Sequence, residues 1–319
     1  MSRSHENRSS CCLDGGALIG ERSRIIIATD IGGSDEDDIQ SMVYYLVYSD
    51  LFNTEGLISS PPKQGRVRDI LEVIDIYSQD YPRLKSYSND YPHPDFLRSI
   101  TKQGAVDPAP AEGYGHSTEG SQWIIQCAKK DDSRPLYILV WGSITDVAQA
   151  LHDDPSIKEK IRLYFIASWN RTQDINAFHY IDIHHPDSWF IENEFTFRGW
   201  YMGGNQSGDL GNEMFVRRHI NGHGALGNYF APLKAGRIKM SDAPTVAYLL
   251  CGKSDDPEAS HWGGSFIRKD GRTQWWIDDI NPKWAEGNKL GAKTINQWRE
   301  SYLRNFQYRL DMCLTYPPQ

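Results

Sequence analysis

The run RIIIAT at residues 24–29 has an apolar centre, Ile25 to Ala28, and is largely β-branched, the pattern of a strand buried on both faces of a parallel sheet. Beyond it the apolar positions change period: Ile39, Met42, Val43, Leu46 and Val47 fall at helical spacing and make one core-facing stripe. A doubly buried strand needs neighbours on both sides, and parallel neighbours are reached only through crossovers, so the pattern must recur. It does. TEGLIS (54–59) precedes a helical stretch at 66–80, PLYILVWGS precedes ITDVAQALHDD, and IRLYFIAS (161–168) is a further buried strand. The alternation predicts an α/β fold: an open, mostly parallel, Rossmann-like sheet with helices on both faces. The Gly- and Asn-rich stretch from Trp200 to Arg237 reads as irregular cover for the sheet edge.

A chain of 319 residues with 39% hydrophobic content can bury a full core, and the simplest division is a flexible N-terminal tail (1–22) followed by one catalytic domain (23–319). A net charge of −8 without a basic patch argues against nucleic acid as a partner and favours a small molecule. Without eighteen consecutive apolar residues, no membrane partner is expected. The five cysteines, Cys11, Cys12, Cys127, Cys251 and Cys313, are scattered and form no CxxC pair, which points to a reducing, cytoplasmic setting. A secretory leader removed earlier would leave the same sequence. A homo-oligomer is compatible with all of this.

Between the first strand and its helix lie Asp30, Asp35, Glu36, Asp37 and Asp38, five carboxylates in nine positions. One or two are explained by the helix dipole, with Ser34 or Asp35 as a cap. Five repel one another unless a cation or a proton sits among them, and clustered hard oxygens favour Ca²⁺ or Mg²⁺. In open α/β sheets, ligands bind beyond the carboxyl ends of the strands. The acidic turn, the turn at Trp141 to Ser143 and the loop from Ser168 onward all follow strand ends, so that edge is the expected site.

RIIIATD, then glycines, then a paired aspartate opening an apolar helix resembles the signature Asp-x-Asp-Pro-Gly-x-Asp-Asp of the inosine-uridine type nucleoside N-ribohydrolases. The chain is more similar still to a divergent branch of cellulose-binding proteins with a nucleoside-hydrolase-like domain, whose TDIGG is followed by paired aspartates. Further blocks recur in order: EGLIS, TEGSQWII (118–125), ILVWGSITDVAQAL (138–151), HPDSWFIENEFTFRG (185–199) and SDAPTVAYLL (241–250). The resemblance implies a nucleoside-hydrolase-like fold and a calcium-dependent hydrolysis of an N-glycosidic bond. It implies that Asp30 binds Ca²⁺ and deprotonates water, that Asp38, Asp242 and the carbonyl of Trp141 are further ligands, and that Asp37 holds sugar hydroxyls. The sequence departs from the pattern at Ala28, at Ile31 to Gly33, and at Ser241, where some members have a histidine.

Hydrolysis through an oxocarbenium-like state needs a nucleophile below the anomeric carbon, negative charge near the ring and a stabilised leaving group. The family's sugar-binding asparagine falls near Lys63. Further candidates for substrate contact are His116, His179, His184, His185, Glu192, Asn193 and Asn170, the last placed directly after a strand. Histidine suits proton transfer near neutral pH, although most of the ten histidines must be structural or solvated. The substitutions favour a non-standard nucleoside or related glycoside as substrate. The alternative is a glycan-binding protein that keeps the fold without the reaction. HWGGSF (261–266) and QWWIDDINPKW (274–284) could stack on sugars, but buried aromatic packing explains them better.

Overall fold

The computed structural model describes residues 21–33, 36–62 and 66–314. Its centre is an eight-stranded sheet ordered β3-β2-β1-β4-β5-β6-β8-β7. The strands are β1 (Ser23–Thr29), β2 (Phe52–Ser59), β3 (Thr101–Gln103), β4 (Leu136–Val140), β5 (Ile161–Ile166), β6 (Phe190–Asn193), β7 (Phe266–Arg268) and β8 (Trp275–Asp278). All neighbours are parallel except β7 and β8. This is the expected open, mostly parallel sheet.

β1 shows why. Ile25 and Ile27 pack into the core on one face, and Ile26 and Ala28 pack into the core on the other. Each such isoleucine contributes about 1.5–3 kcal/mol by burial, so a polar residue on either face would cost the strand its place. The first helix, α1 (Asp37–Val47), is buried more completely than its stripe predicts. Tyr44, on the side expected to face water, stacks edge-on against Trp200 and lies against Phe306 of a C-terminal helix (Arg299–Asp311). That last helix covers what the local period reads as a solvent face.

Two other expectations change. The stretch from Trp200 to Arg237 contains the helices Asn212–His219 and Gly224–Phe230, so its glycines punctuate helices. One of these, Gly224, has φ +73° and sits against the carboxylate of Asp80, leaving no room for a side chain. The aromatic clusters near the C-terminus are packing, as weighed above: Trp262, Trp275 and Trp276 are buried, and the last two belong to β8. Cys127 and Cys313 are buried thiols, while Cys251 is disulfide-bonded, against the expectation from cysteine spacing. Among the described residues no helix is long and apolar enough to cross a membrane.

The register sets the edge that matters. Thr29 is level with Ser59, Ala28 with Val140, Val140 with Phe165, and Ile166 with Asn193. The residues that follow β1, β4, β5 and β6 therefore emerge side by side. Buried carboxylates hold the loops over this edge. Asp146 accepts from the N–H of Ala105 at 3.0 Å and the hydroxyl of Thr118 at 2.5 Å, and Asp174 accepts from the N–H of Ala109 at 3.0 Å. Asp278 accepts from the N–H groups of Glu194, Phe195 and Thr196 at 2.8–3.0 Å.

Burial pushes both Asp146 and Asp278 up to about 6. A carboxyl raised above its unfolded value of about 3.9 binds its proton more tightly in the fold. Its contribution to stability is full below about pH 4 and is lost as pH rises to about 6. Carboxyl-resolved NMR titration of the folded protein is expected to give midpoints near 6 for these two groups. Midpoints near 4 would contradict the burial assigned here.

Candidate functional site

At this edge opens a cavity of about 690 Å³ lined by the ends of β1, β4, β5 and β6 and by the segment before a short buried helix, Ala243–Leu250. Its acidic wall is built from three separate stretches. Asp30 follows β1, Asp37 and Asp38 open α1, and Asp242 arrives from the far end of the chain.

Local contacts fix each of them. The Thr29 hydroxyl donates to Asp38 Oδ1 at 2.5 Å and accepts from the N–H of Ile31 at 3.1 Å, tying the strand end to the helix start. Gly142 packs so tightly against Asp30 that a Cβ there would stand 2.8 Å from the Asp30 nitrogen. Gln40, on the first turn of α1, accepts through its amide oxygen from the N–H groups of Lys239 and Met240 at 2.9 and 3.1 Å and donates to the carbonyl of Arg237 at 2.9 Å. This clamp delivers Asp242 beside the Ser41 hydroxyl at 3.3 Å. Met240 in the clamped segment has φ +40°, a left-handed conformation costly for a side-chain-bearing residue and held by the bonds around it.

The electrostatics follow from the crowding. Burial, and then the negative charges of Asp38, Asp37 and Asp30, push the Asp242 carboxyl well above the usual carboxylate range. Asp37 is partly compensated: the Ser241 hydroxyl donates to it and the Lys239 ammonium lies 3.4 Å away. The Trp141 carbonyl also faces this region, and it accepts from Asn170 Nδ2 at 2.9 Å, while the Trp141 indole donates to Thr245 at 2.7 Å.

Asp30, Asp37, Asp38, Trp141, Asn170 and Asp242 thus line one cavity. Other expected contacts lie elsewhere. His116, His179 and His184 are exposed and do not line it. His185 is buried with its Nε2 unpartnered, also off the cavity, and burial lowers its proton affinity. Glu192 is buried in ion pairs with Arg171 and Lys269 and accepts from the Trp275 indole at 3.0 Å. Asn193 points into the core, donating to the Tyr164 hydroxyl at 2.9 Å and accepting from the N–H of Phe197 at 2.9 Å. Both sit on β6 itself, where the pleat directs them into packing. Lys63 lies outside the described residues.

Sequence reasoning placed the loop from Ser168 onward at this edge but named neither Trp169 in it nor the wall that follows β6, Phe197, Arg198 and Tyr201. Trp169 is 66% exposed at the rim, an unusual position for an indole that packing does not need. Its place directly after a predicted strand was the available signal.

The donors on the acidic wall are all oxygens, and the surplus of negative charge around Asp242 fits a hard divalent cation such as Ca²⁺ by charge and ligand type. Among the described residues, no group of three or more Asp, Glu, His or Cys side chains is arranged so that it could hold a metal ion.

The family described as cellulose-binding Sde182, nucleoside hydrolase-like domain, matches residues 24–266. Among solved structures, a nucleoside hydrolase-related hypothetical protein from Saccharophagus degradans, associated with carbohydrate metabolism, is similar at a TM-score of 0.72 and 24% identity, over 92% of this chain and 72% of that one. The inosine-uridine preferring nucleoside hydrolase from Bacillus anthracis is similar at 0.52 and 14%, over 89% and 99%. The type III effector XopQ, solved in complex with adenosine diphosphate ribose, is similar at 0.53 and 9%, over 96% and 97%. These likenesses show the fold. No curated protein matches the chain.

Replacing Thr29 by Val keeps the volume and removes the hydroxyl that serves both Asp38 and Ile31. The change is expected to cost about 1–3 kcal/mol in urea unfolding, because it leaves buried polar groups without their partner. A change under a few tenths would mean the acidic turn is held by something else.

Proposed function

We propose, for a chain that belongs to the cellulose-binding Sde182 nucleoside hydrolase-like family, the calcium-dependent hydrolysis of an N-glycosidic, ribosyl-type bond. The observation that supports this reading is that Asp30, Asp38, Trp141 and Asp242, from three distant parts of the chain, line the same strand-end cavity. In this reading residues 23–319 work as one catalytic domain on a nucleoside-like or related glycoside small molecule.

Asp30, Asp38, Asp242 and the carbonyl of Trp141 would hold the ion. Bound there, Ca²⁺ supplies positive charge that relieves the carboxylates and makes water a better nucleophile near neutral pH. The remaining work falls to the chain. Asp30 is the half-buried member of the cluster, next to the open cavity, and is placed to take a proton from water. Asp37, held by Ser241 and Lys239, keeps a fixed acceptor toward sugar hydroxyls. The same negative wall stabilises positive charge developing on the sugar ring. Asn170 is committed to the carbonyls of Trp141 and Ile166, at 2.9 and 3.0 Å, so it positions the Trp141 carbonyl.

A second reading is supported by the family's cellulose-binding description and by the exposed Trp169: a glycan-binding protein without turnover. The two part at Asp30→Asn. The hydrolase is expected to lose at least about a hundredfold in ribose release while keeping most of its ligand affinity, a loss in the range general-base removal produces. Turnover is read on a panel of standard and modified nucleosides and ribosyl glycosides. A wild-type protein that binds sugars and releases ribose from none of them is the binder.

Calcium itself gives a separate readout. At a hundredfold excess over its dissociation constant, the ion is expected to raise unfolding stability by about 2.7 kcal/mol, reversed by chelation. Asp242→Asn should remove most of that gain. No shift in the unfolding midpoint with calcium, and no heat of binding by calorimetry, would remove the ion from the proposal.

A further inference from the structure

The wall facing the acidic cluster carries the opposite charge, and its arrangement deepens the proposed function by naming the class of substrate. Arg198 follows β6 and lines the cavity, half-buried. Its guanidinium stacks over Phe197 with 4.4 Å to the ring centroid, which fixes its plane. Nη1 donates to the carbonyl of Glu194 at 2.7 Å and Nη2 to the hydroxyl of Ser168 at 2.9 Å. Two of the five N–H groups of an arginine are thereby used, and the others have no partner among the described residues.

The two carboxylates at the end of β6 are taken. Glu194 accepts from Arg171 at 2.9 Å and from the N–H of Ser168 at 3.1 Å, and Glu192 pairs with Arg171 and Lys269. Among the described residues no carboxylate pairs with Arg198. A half-buried cation in a cleft, oriented by neutral acceptors and left without a counter-ion, is suited to an anion that comes and goes.

Two further details point the same way. Ser168 holds φ +32°, strained for a serine, and this backbone carries both the hydroxyl that accepts from Arg198 and the N–H that occupies Glu194. Tyr201 lines the same cavity, and its hydroxyl has no hydrogen-bond partner among the described residues. Burial raises the phenol, opposed by Arg198 and Lys239 and reinforced by Asp37 and Asp242, so Tyr201 stays protonated between the guanidinium and the acidic cluster, available as a donor. Arg198 and Asp30 belong to the ends of different strands, β6 and β1, with β4 and β5 between them. β1 and the β5–β6 loops are two to three inter-strand spacings apart, on the order of 10–14 Å. That span suits a sugar held at the acidic end with a charged substituent at the other.

We propose that Arg198, with the Tyr201 hydroxyl beside it, forms an anion subsite of this cavity, so that the glycoside accepted here carries a phosphate or carboxylate remote from the acidic cluster. The inference rests on the proposed sugar site for its substrate class, and on Arg198 alone for the anion. An anion there also favours discrimination: a neutral nucleoside would leave the guanidinium buried beneath it and unpaired, which costs affinity.

The test measures binding of four probes by calorimetry in calcium-containing buffer: ribose, ribose 5-phosphate, its carboxylate counterpart riburonic acid, and inorganic sulfate. At least one anionic sugar is expected to bind about tenfold or more tightly than ribose, as one charge-assisted pair provides. Which of the two gains tells phosphate from carboxylate. Arg198→Ala is expected to erase that preference while lowering ribose affinity far less, and Arg198→Lys to retain part of it. If Arg198→Ala does not fold, Tyr201→Phe and Arg198→Lys carry the test through a partial loss of the preference. The subsite is overturned if no anionic sugar outbinds ribose and sulfate shows no Arg198-dependent binding, or if the preference survives Arg198→Ala. Ribose that fails to bind at all counts against the hydrolase reading. In that case Arg198-dependent sulfate binding still upholds the subsite, and its absence sinks both.

Discussion

Four carboxylates share one wall of a cavity at the end of a parallel sheet, and the free energy of keeping them there governs the site. Two unit charges about 4 Å apart repel by about 4 kcal/mol at an effective dielectric constant near 20. Thr29, Ser41 and Ser241 donate single hydrogen bonds into the cluster, and Lys239 offers one cation to Asp37. Asp242 is the least relieved, since its neighbours are Asp38, Asp37 and Asp30 and its own contact is one hydroxyl at 3.3 Å. Its raised proton affinity comes first from burial and then from those neighbouring charges. A protein can settle such a debt with a proton or with a cation, and only the second leaves the carboxylates able to act as bases.

The scaffold spends structure on this arrangement. The parallel register brings four strand ends level, so that residues far apart in sequence emerge as neighbours. Gln40 then clamps the segment ahead of Asp242, and two residues with side chains, Met240 and Ser168, are held at positive φ on either side of the cavity. Each outlier costs of order 1–3 kcal/mol and persists only because its surroundings over-determine it. Buried Asp146, Asp174 and Asp278 do the same for the covering loops, using main-chain N–H groups that would otherwise be unsatisfied. The acidic wall and its opposite basic wall are thus set by separate devices, one at α1 and one after β6.

How much of this the sequence discloses depends on the range of the physics. β1, β4 and β5 are legible because a strand buried on both faces is a mostly apolar run, a local signal, and β2, FNTEGLIS, because it recurs between two helical stretches. The acidic turn is legible because repulsion among near neighbours is local as well. Tyr44 is not, since its burial depends on Phe306, at the other end of the chain. Glu192 and Asn193 looked like site residues by type, yet both lie within β6 and are held in packing, and the chain reaches the cavity only beyond the strand, at Phe197 and Arg198. Arg198 sits inside the block HPDSWFIENEFTFRG and Tyr201 just beyond it, but what marks them is the lack of a counter-ion for the one and of a hydroxyl partner for the other among the described residues, which shows only after folding. The helices at Asn212–His219 and Gly224–Phe230 were masked by glycines that local pattern reads as loop.

Fold alone does not decide between turning over a glycoside and holding one. The charge pattern bears on that choice. A protein that only binds neutral sugar hydroxyls can do so with amides and hydroxyls, which accept and donate without repelling one another. Burying Asp37, Asp38 and Asp242 together with a half-buried Asp30 is costly for a binder and useful to an enzyme, because developing positive charge on a sugar ring is stabilised by fixed negative charge already in place. An unpaired arginine across the same cavity is likewise a cost in the free protein that a charged ligand removes. Each wall is unfavourable by itself, and under the proposed reading the pair would select a ligand with a polyhydroxylated end and an anionic end, bound in one direction only. Such directionality would hold a scissile bond against Asp30 in a single pose, which is the larger part of what catalysis requires of a binding site.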